Sequence, residues 1–127
     1  MVIEKSNDDA TFEIDTTFDK TDDHVLNFLI KFGLLSLFRT RPFSKVPIVG
    51  SLPNKIFISL IDSNPLSFDP TLVIGGENLE AFNKGLEVIS LLPKENVNVG
   101  ISENNTLDLF RSEKINYNIF SGPHPIG

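Results

Sequence analysis

Apolar and polar positions along the chain change period several times, and the changes divide it into elements. Residues 1 to 20 are polar and rich in Asp and Thr. Within them Thr11 to Asp15 alternates briefly, which fits a short edge strand or an extended arm equally well. From Thr21 the spacing becomes helical. Thr21 is a suitable cap, Asp22 and Asp23 sit favourably in the first turn, and Val25, Leu26, Phe28, Leu29 and Phe32 recur at helical intervals. Gly33 is a natural stop. Leu34 to Phe38 adds a further turn or two, and the Pro- and Gly-containing stretch from Arg41 to Pro53 predicts an irregular connection.

The period shortens again at Lys55 to Ile61, a nearly continuous apolar run with β-branched residues. That pattern predicts a strand buried on both faces. Asp62-Ser63-Asn64-Pro65 supplies turn chemistry after it. Thr71 to Ile74 fits a short strand or a lead-in to Gly75-Gly76. Glu77 to Leu92 is the clearest helix, with Leu79, Phe82, Leu86 and Ile89 on one face and Ala81, Val88 and Leu92 widening the stripe. Gly85 is unfavourable inside a helix, by roughly 1 kcal/mol against Ala, and close approach to a sheet is the expected reason for it. Pro93 ends the helix. Val97 to Ile101 predicts a second strand, Thr106 to Phe110 a short helix, and Ile115 to Phe120 a third strand, before a loop from Ser121 to Gly127.

Strands alternating with helices predict an α/β fold, a Rossmann-like βαβ layer with a largely parallel sheet, right-handed crossovers and an N-terminal helical segment. The expected organisation is an arm over residues 1–20 and a single domain over 21–127. Phe82 and Leu86 are expected to pack on the strands around Ile58 and Val99.

Composition narrows the chemistry. Apolar residues make up 40% of the 127 positions, enough to support a core. Net charge is −6, which argues against broad electrostatic binding to nucleic acid or an anionic membrane surface. There is no cysteine, so disulfides, thiolate zinc sites and cysteine-ligated iron–sulfur clusters are excluded for this chain. No apolar run approaches the roughly 20 residues that span a bilayer.

Few residues remain as candidates for function. Arg39, Arg41 and Lys45 form the one dense basic cluster of an acidic chain. They suit gripping a phosphate, a carboxylate or an acidic partner surface, and equally a solvated connection or pairing with internal acids. Asp62, Asn64 and Asp69 follow the first buried run, where open α/β sheets place ligands, although such residues also simply form turns. Gly75-Gly76 precedes a helix but lacks any nucleotide-binding pattern, and Glu77 and Glu80 would repel an anion there. His24 and His124 lie a hundred positions apart with no further ligands at metal-binding spacing. No serine sits in a G-x-S-x-G elbow. Catalytic, cofactor and metal residues are therefore all expected to be absent, and the candidate docking or ligand surface is Arg39, Arg41, Lys45, Asp62, Asn64 and His124.

Three stretches together resemble the A subunit of the sodium-translocating NADH:quinone oxidoreductase. They are Gly33 to Pro47 (GLLSLFRTRPFSKVP), Ile56 to Leu66 (IFISLIDSNPL) with Asp69-Pro70 following, and the terminal Ser121 to Gly127 (SGPHPIG). The family's last motif runs on into a Thr-His-Ile-His segment, whereas this chain stops at Gly127. The resemblance thus implies the excised central part of a longer protein. It further implies a distant likeness to the flavin- and NADH-binding component of respiratory complex I and to its relative in the Rnf complex. Those relatives carry a glycine-rich flavin loop where this chain has Arg39 to Lys45. By the resemblance the fold is kept and the cofactor site lost. Flavins, NADH, an iron centre and quinone would then belong to the complex and not to this domain. The implied partners are the other subunits of a sodium-pumping membrane complex, with quinone associated with the A subunit. The implied location is peripheral, on the cytoplasmic side of the bacterial inner membrane.

Overall fold

A computed structural model describes residues 21 to 123. The first helix, α1, covers Asp22–Lys31. Thr21 caps it through its backbone, its carbonyl accepting from the His24 and Val25 amides. Gly33, at φ 69°, ends it, and its amide donates to the Ile30 carbonyl. A left-handed residue after a helix is the position where glycine carries no Cβ penalty. A 3-10 turn over Leu34–Leu37 follows.

The sheet has three strands: β1 (Lys55–Ser59), β2 (Asn96–Ser102) and β3 (Ile115–Phe120). All are parallel and lie in the order β1-β2-β3. Between β1 and β2 come α2 (Pro70–Ile74) and α3 (Asn78–Ile89). The expected α/β class, the three strands and the long helix are thus all present.

The core gathers Val25, Leu26 and Leu29 of α1 with Leu86 of α3 and Ile56, Val97, Val99 and Ile115 of the sheet. Leu60, Leu92 and Leu109 complete it, and Phe82, Ile58 and Tyr117 pack against it half-buried. The expected packing of Phe82 and Leu86 with the strands around Ile58 and Val99 is therefore found, with Leu86 the more deeply placed.

Four expectations need correction. The run at Lys55 to Ile61 is not buried on both faces. Ile56 is buried and Ile58 half-buried, while Lys55, Phe57 and Ser59 between them are exposed. An apolar phenylalanine on the open face makes an alternating strand read as a continuous one. Thr71 to Ile74 is helical, because Asp69 caps it by accepting from the Thr71 amide at 2.9 Å and Pro70 takes the first helical position. Thr106 to Phe110 is not a helix. Leu109 is buried and Leu107 half-buried while Asp108 between them is exposed, a period of two, and backbone groups of the segment bond to the Asn83 side chain instead of to each other. Gly85 has open space around its Cβ position, so close packing on the sheet does not explain it. Thr11 to Asp15 lies outside the described residues.

Candidate functional site

The basic segment folds into a turn that closes on itself. The Thr40 amide donates to the Lys45 carbonyl at 2.8 Å, and the Ser44 amide to the Thr40 carbonyl at 2.7 Å. The Thr40 hydroxyl adds a bond to the same Lys45 carbonyl at 3.1 Å. The Arg41–Pro42 peptide is cis. Arg39 folds back on the preceding 3-10 turn and donates to the carbonyls of Ser36 and Phe38. The Lys45 ammonium lies 5.9 Å from the centre of the Phe43 ring, within cation–π range.

These contacts decide what the turn can hold. A phosphate cradle needs several free backbone amides converging on one point. Here Pro42 has no amide proton, and those of Thr40 and Ser44 are used inside the turn. What the turn offers outward is side-chain charge. Arg39, Arg41 and Lys45 are all exposed. Among the described residues the ion pairs are Lys55–Glu95 at 3.1 Å and Lys84–Glu80 at 2.8 Å, and neither draws on the three.

The surface around the turn is apolar. Leu37, Phe43 and Ile48 are 76%, 77% and 81% exposed, and Val46 and Val49 are exposed as well. Large side chains exposed this densely along one segment are a mark of interaction surfaces. The sequence pattern reveals the cations but hides these residues inside an irregular connection. One signal does mark the region. From His24 to Ile61 the chain has five cations and no acid, and all 17 acidic residues lie elsewhere.

Asp62 and Asn64 form a second, separate turn beyond the C-terminal end of β1. Asp62 Oδ1 accepts from the Asn64 amide at 3.0 Å and from its side-chain Nδ2 at 2.7 Å. That is an Asx turn, and Asn64 is engaged in shaping its own loop. The loop continues through Leu66, at φ 65° and fully exposed, to exposed Phe68, and Leu72 and Val73 of α2 after it are exposed as well. The six candidates therefore do not form one site. The three cations share one turn, Asp62 and Asn64 share another, and His124 lies outside the described residues.

A shallow open groove runs between α3 and the segment after β2. Leu79, Glu80, Asn83, Lys84, Glu87 and Asp108 line it, and its accessible volume is about 450 Å³. Lys84 beside it holds the Glu80 carboxyl below its ordinary range, and Glu80 raises the Lys84 ammonium in return. The described residues contain no cluster of three or more metal-ligating side chains and no helix long and apolar enough to cross a membrane.

Residues 20–127 match the family described as the NqrA second alpha/beta domain. The chain belongs to that family. It is 43% identical over 107 residues to the A subunit of the Na(+)-translocating NADH-quinone reductase of Yersinia pseudotuberculosis, an alignment covering 84% of this chain and 24% of the relative. Against the protein of the same name from Alcanivorax borkumensis it is 42% identical over 118 residues, covering 93% and 26%. The Vibrio vulnificus counterpart is 41% identical over 99 residues, covering 78% and 22%. This NqrA domain thus spans about a quarter of the length of the curated relatives it matches. The resemblance carried by Gly33 to Pro47 and Ile56 to Leu66 points to the right family.

Proposed function

We propose that this domain serves the assembly of a sodium-translocating NADH:quinone reductase, docking on other subunits of the complex without holding a redox cofactor of its own. The observation that carries this reading is the self-closed cationic turn. The Thr40 and Ser44 amides are bonded inside the turn and its three cations are exposed, none of them paired with an internal acid among the described residues. Exposed aliphatic and aromatic side chains flank it. Such a surface meets an acidic, partly apolar protein surface better than it meets a nucleotide. The location that follows is peripheral, on the cytoplasmic face of the bacterial inner membrane.

Two measurements test the reading. Titration of the purified domain with FMN and with NADH should show no saturable binding at micromolar concentration, and a defined micromolar affinity would overturn the cofactor-free part. The Arg39→Ala, Arg41→Ala double variant should melt close to wild type, because exposed charges contribute little to stability, about 0–1 kcal/mol. It should nevertheless assemble more weakly, with reduced salt sensitivity. A variant that melts much earlier yet assembles normally once folded would reject the docking role.

A second reading has one observation in its favour. The exposed apolar loop at Leu66 and Phe68, with Leu72 and Val73 of α2 after it, lies beyond the C-terminal end of β1 and would suit an apolar quinone ring. A photoreactive quinone should then label this loop in the assembled complex and lose that labelling on Leu66→Asp substitution.

A further inference from the structure

Among the described residues the sheet has one covered face and one bare face. Residue parity shows it directly. Ile56, Val97, Val99 and Ile115, together with half-buried Ile58 and Tyr117, all point to the side of the core. The alternate positions carry Lys55, Phe57 and Ser59 on β1, Asn96, Asn98, Gly100 and Ser102 on β2, and Asn116, Asn118 and Phe120 on β3. None of these is buried, and Phe57 is 71% exposed. Both helices that enter the core do so from the opposite side. Parallel sheets occur almost only with both faces covered. A bare face on an all-parallel sheet is therefore a layer missing from the described residues.

We infer that a single helix from the remainder of the longer NqrA protein covers this face, packing in cis. Dimensions select a helix. Three strands spaced about 4.8 Å apart make a strip roughly 15 Å wide, and the longest strand is about 20 Å long. One α-helix, about 10–12 Å across, fills that width, and roughly 13 residues match that length. The same dimensions disfavour a second copy of the chain. The strip offers a few hundred Å² per partner, whereas a stable interface needs about 800 Å². A free helix of roughly 13 residues is itself marginal in water. Tethering removes both objections, since a tethered segment meets the face at high effective concentration. The room for such a segment exists, because the aligned relatives are about four times as long as the stretch they share with this chain.

The face also specifies the chemistry of its cover. Its one charge, on Lys55, is paired with Glu95, and the middle of the strip is uncharged. Asn98, already bonded to Asn96 at 3.1 Å, sits beside Asn116, between Phe57 towards one edge and Phe120 towards the other. Gly100 keeps the strip low where the Phe120 ring lies across it; a Cβ there would meet the ring at 3.1 Å. The matching helix presents an uncharged stripe, apolar where it meets the two phenylalanines and amide or hydroxyl between them. This inference rests on family membership and stands apart from the docking role of the cationic turn.

The absence of cysteine makes the test direct. Asn116→Cys and, separately, Asn118→Cys place single thiols on the bare face, and Asn104→Cys places one on the exposed loop after β2. Maleimide labelling rates are compared between the 127-residue chain and a full-length NqrA, otherwise cysteine-free, that carries this sequence as its second α/β domain. The expected result is at least tenfold slower labelling at 116 and 118 in the longer protein, with position 104 unchanged and no dependence on protein concentration. Equal rates at all positions in both proteins would overturn the inference. So would protection that grows with concentration of the short chain, which indicates a second copy, or protection that appears only when the other subunits are added, which indicates a partner in trans. Normal assembly of the Arg39→Ala, Arg41→Ala variant would leave the labelling result untouched, so the two proposals fail separately.

Discussion

Asn83 is the residue whose loss should be felt most for its size. Its Nδ2 donates to the Asp108 carbonyl at 3.0 Å, and its Oδ1 accepts from the Phe110 amide at 2.8 Å. One amide group thus ties the middle of α3 to a segment 25 to 27 positions later. The Asn83→Ala substitution removes both bonds. Each intramolecular hydrogen bond contributes about 1 kcal/mol net, and leaving the half-buried Phe110 amide unpartnered adds a penalty of similar size. The total is about 2–3 kcal/mol. A domain of roughly 100 residues shifts by about 4–8 °C per kcal/mol, so the melting temperature should fall by about 10–20 °C. Asn83→Asp keeps the acceptor for Phe110 but faces a carboxylate oxygen with the Asp108 carbonyl, and it should fall between the two. Thermal melts followed by far-UV circular dichroism give the ranking, and hydrogen exchange at the Phe110 amide gives the location. An alanine variant melting within about 2 °C of wild type, with unchanged exchange at Phe110, would refute the reasoning.

Three further outcomes are expected. Leu86, at 2% exposure the most enclosed core side chain of α3, should cost about 2–5 kcal/mol on truncation to Ala and more than Phe82→Ala, by urea unfolding. Burial raises the Tyr117 hydroxyl above its ordinary value, with Arg111 nearby acting the other way, and the hydroxyl donates to the Phe110 carbonyl. The folded state therefore holds this proton more tightly than the unfolded state. The stability it contributes is complete below about pH 10 and is lost as pH rises through the folded value. Tyr117→Phe should lower stability by about 1 kcal/mol at neutral pH and flatten the alkaline decline in a series of melts. In assembly assays, Arg39→Ala with Arg41→Ala should remove most of the salt dependence, whereas Leu37→Ser with Ile48→Ser should weaken assembly at every salt concentration.

The elements legible in the sequence are those whose apolar period agrees with their environment. α3 shows helical spacing because one stripe meets the core, and β2 shows strand chemistry because Val97 and Val99 are buried within it. The failures have one physical source each. Phe57 breaks the alternation of β1 by standing in solvent, so a strand open on one face reads as one closed on both. Thr106 to Phe110 looks helical by composition, but Asn83 captures its backbone from 25 positions away, and no local pattern encodes such a partner. α2 is hidden although its cap is local, because Asp69-Pro70 suits a turn as well as the start of a helix. At the site the cations are legible as a charge anomaly, while the exposure of Leu37 and Ile48 emerges only once the core is seen to be filled by other residues.

Charge is segregated along this chain, and the segregation bears on what the cationic turn is for. An acidic domain has ample carboxylates with which to neutralise three cations internally. Pairing of that kind occurs elsewhere, where Lys55 meets Glu95 and Lys84 meets Glu80. Yet Arg39 turns to the carbonyls of its own segment, Lys45 rests on Phe43, and all 17 acids are kept out of the 38 residues from His24 to Ile61. Stability does not require this arrangement, since exposed pairs contribute at most about 1 kcal/mol and their absence costs as little. Solubility does not require it either, because the net charge of −6 is set by the rest of the chain. Its physical effect is to give an acidic molecule one positive, apolar-flanked side. A surface of that kind orients encounter with an acidic partner before contact, and its aliphatic side chains then hold the complex where salt screens the charges.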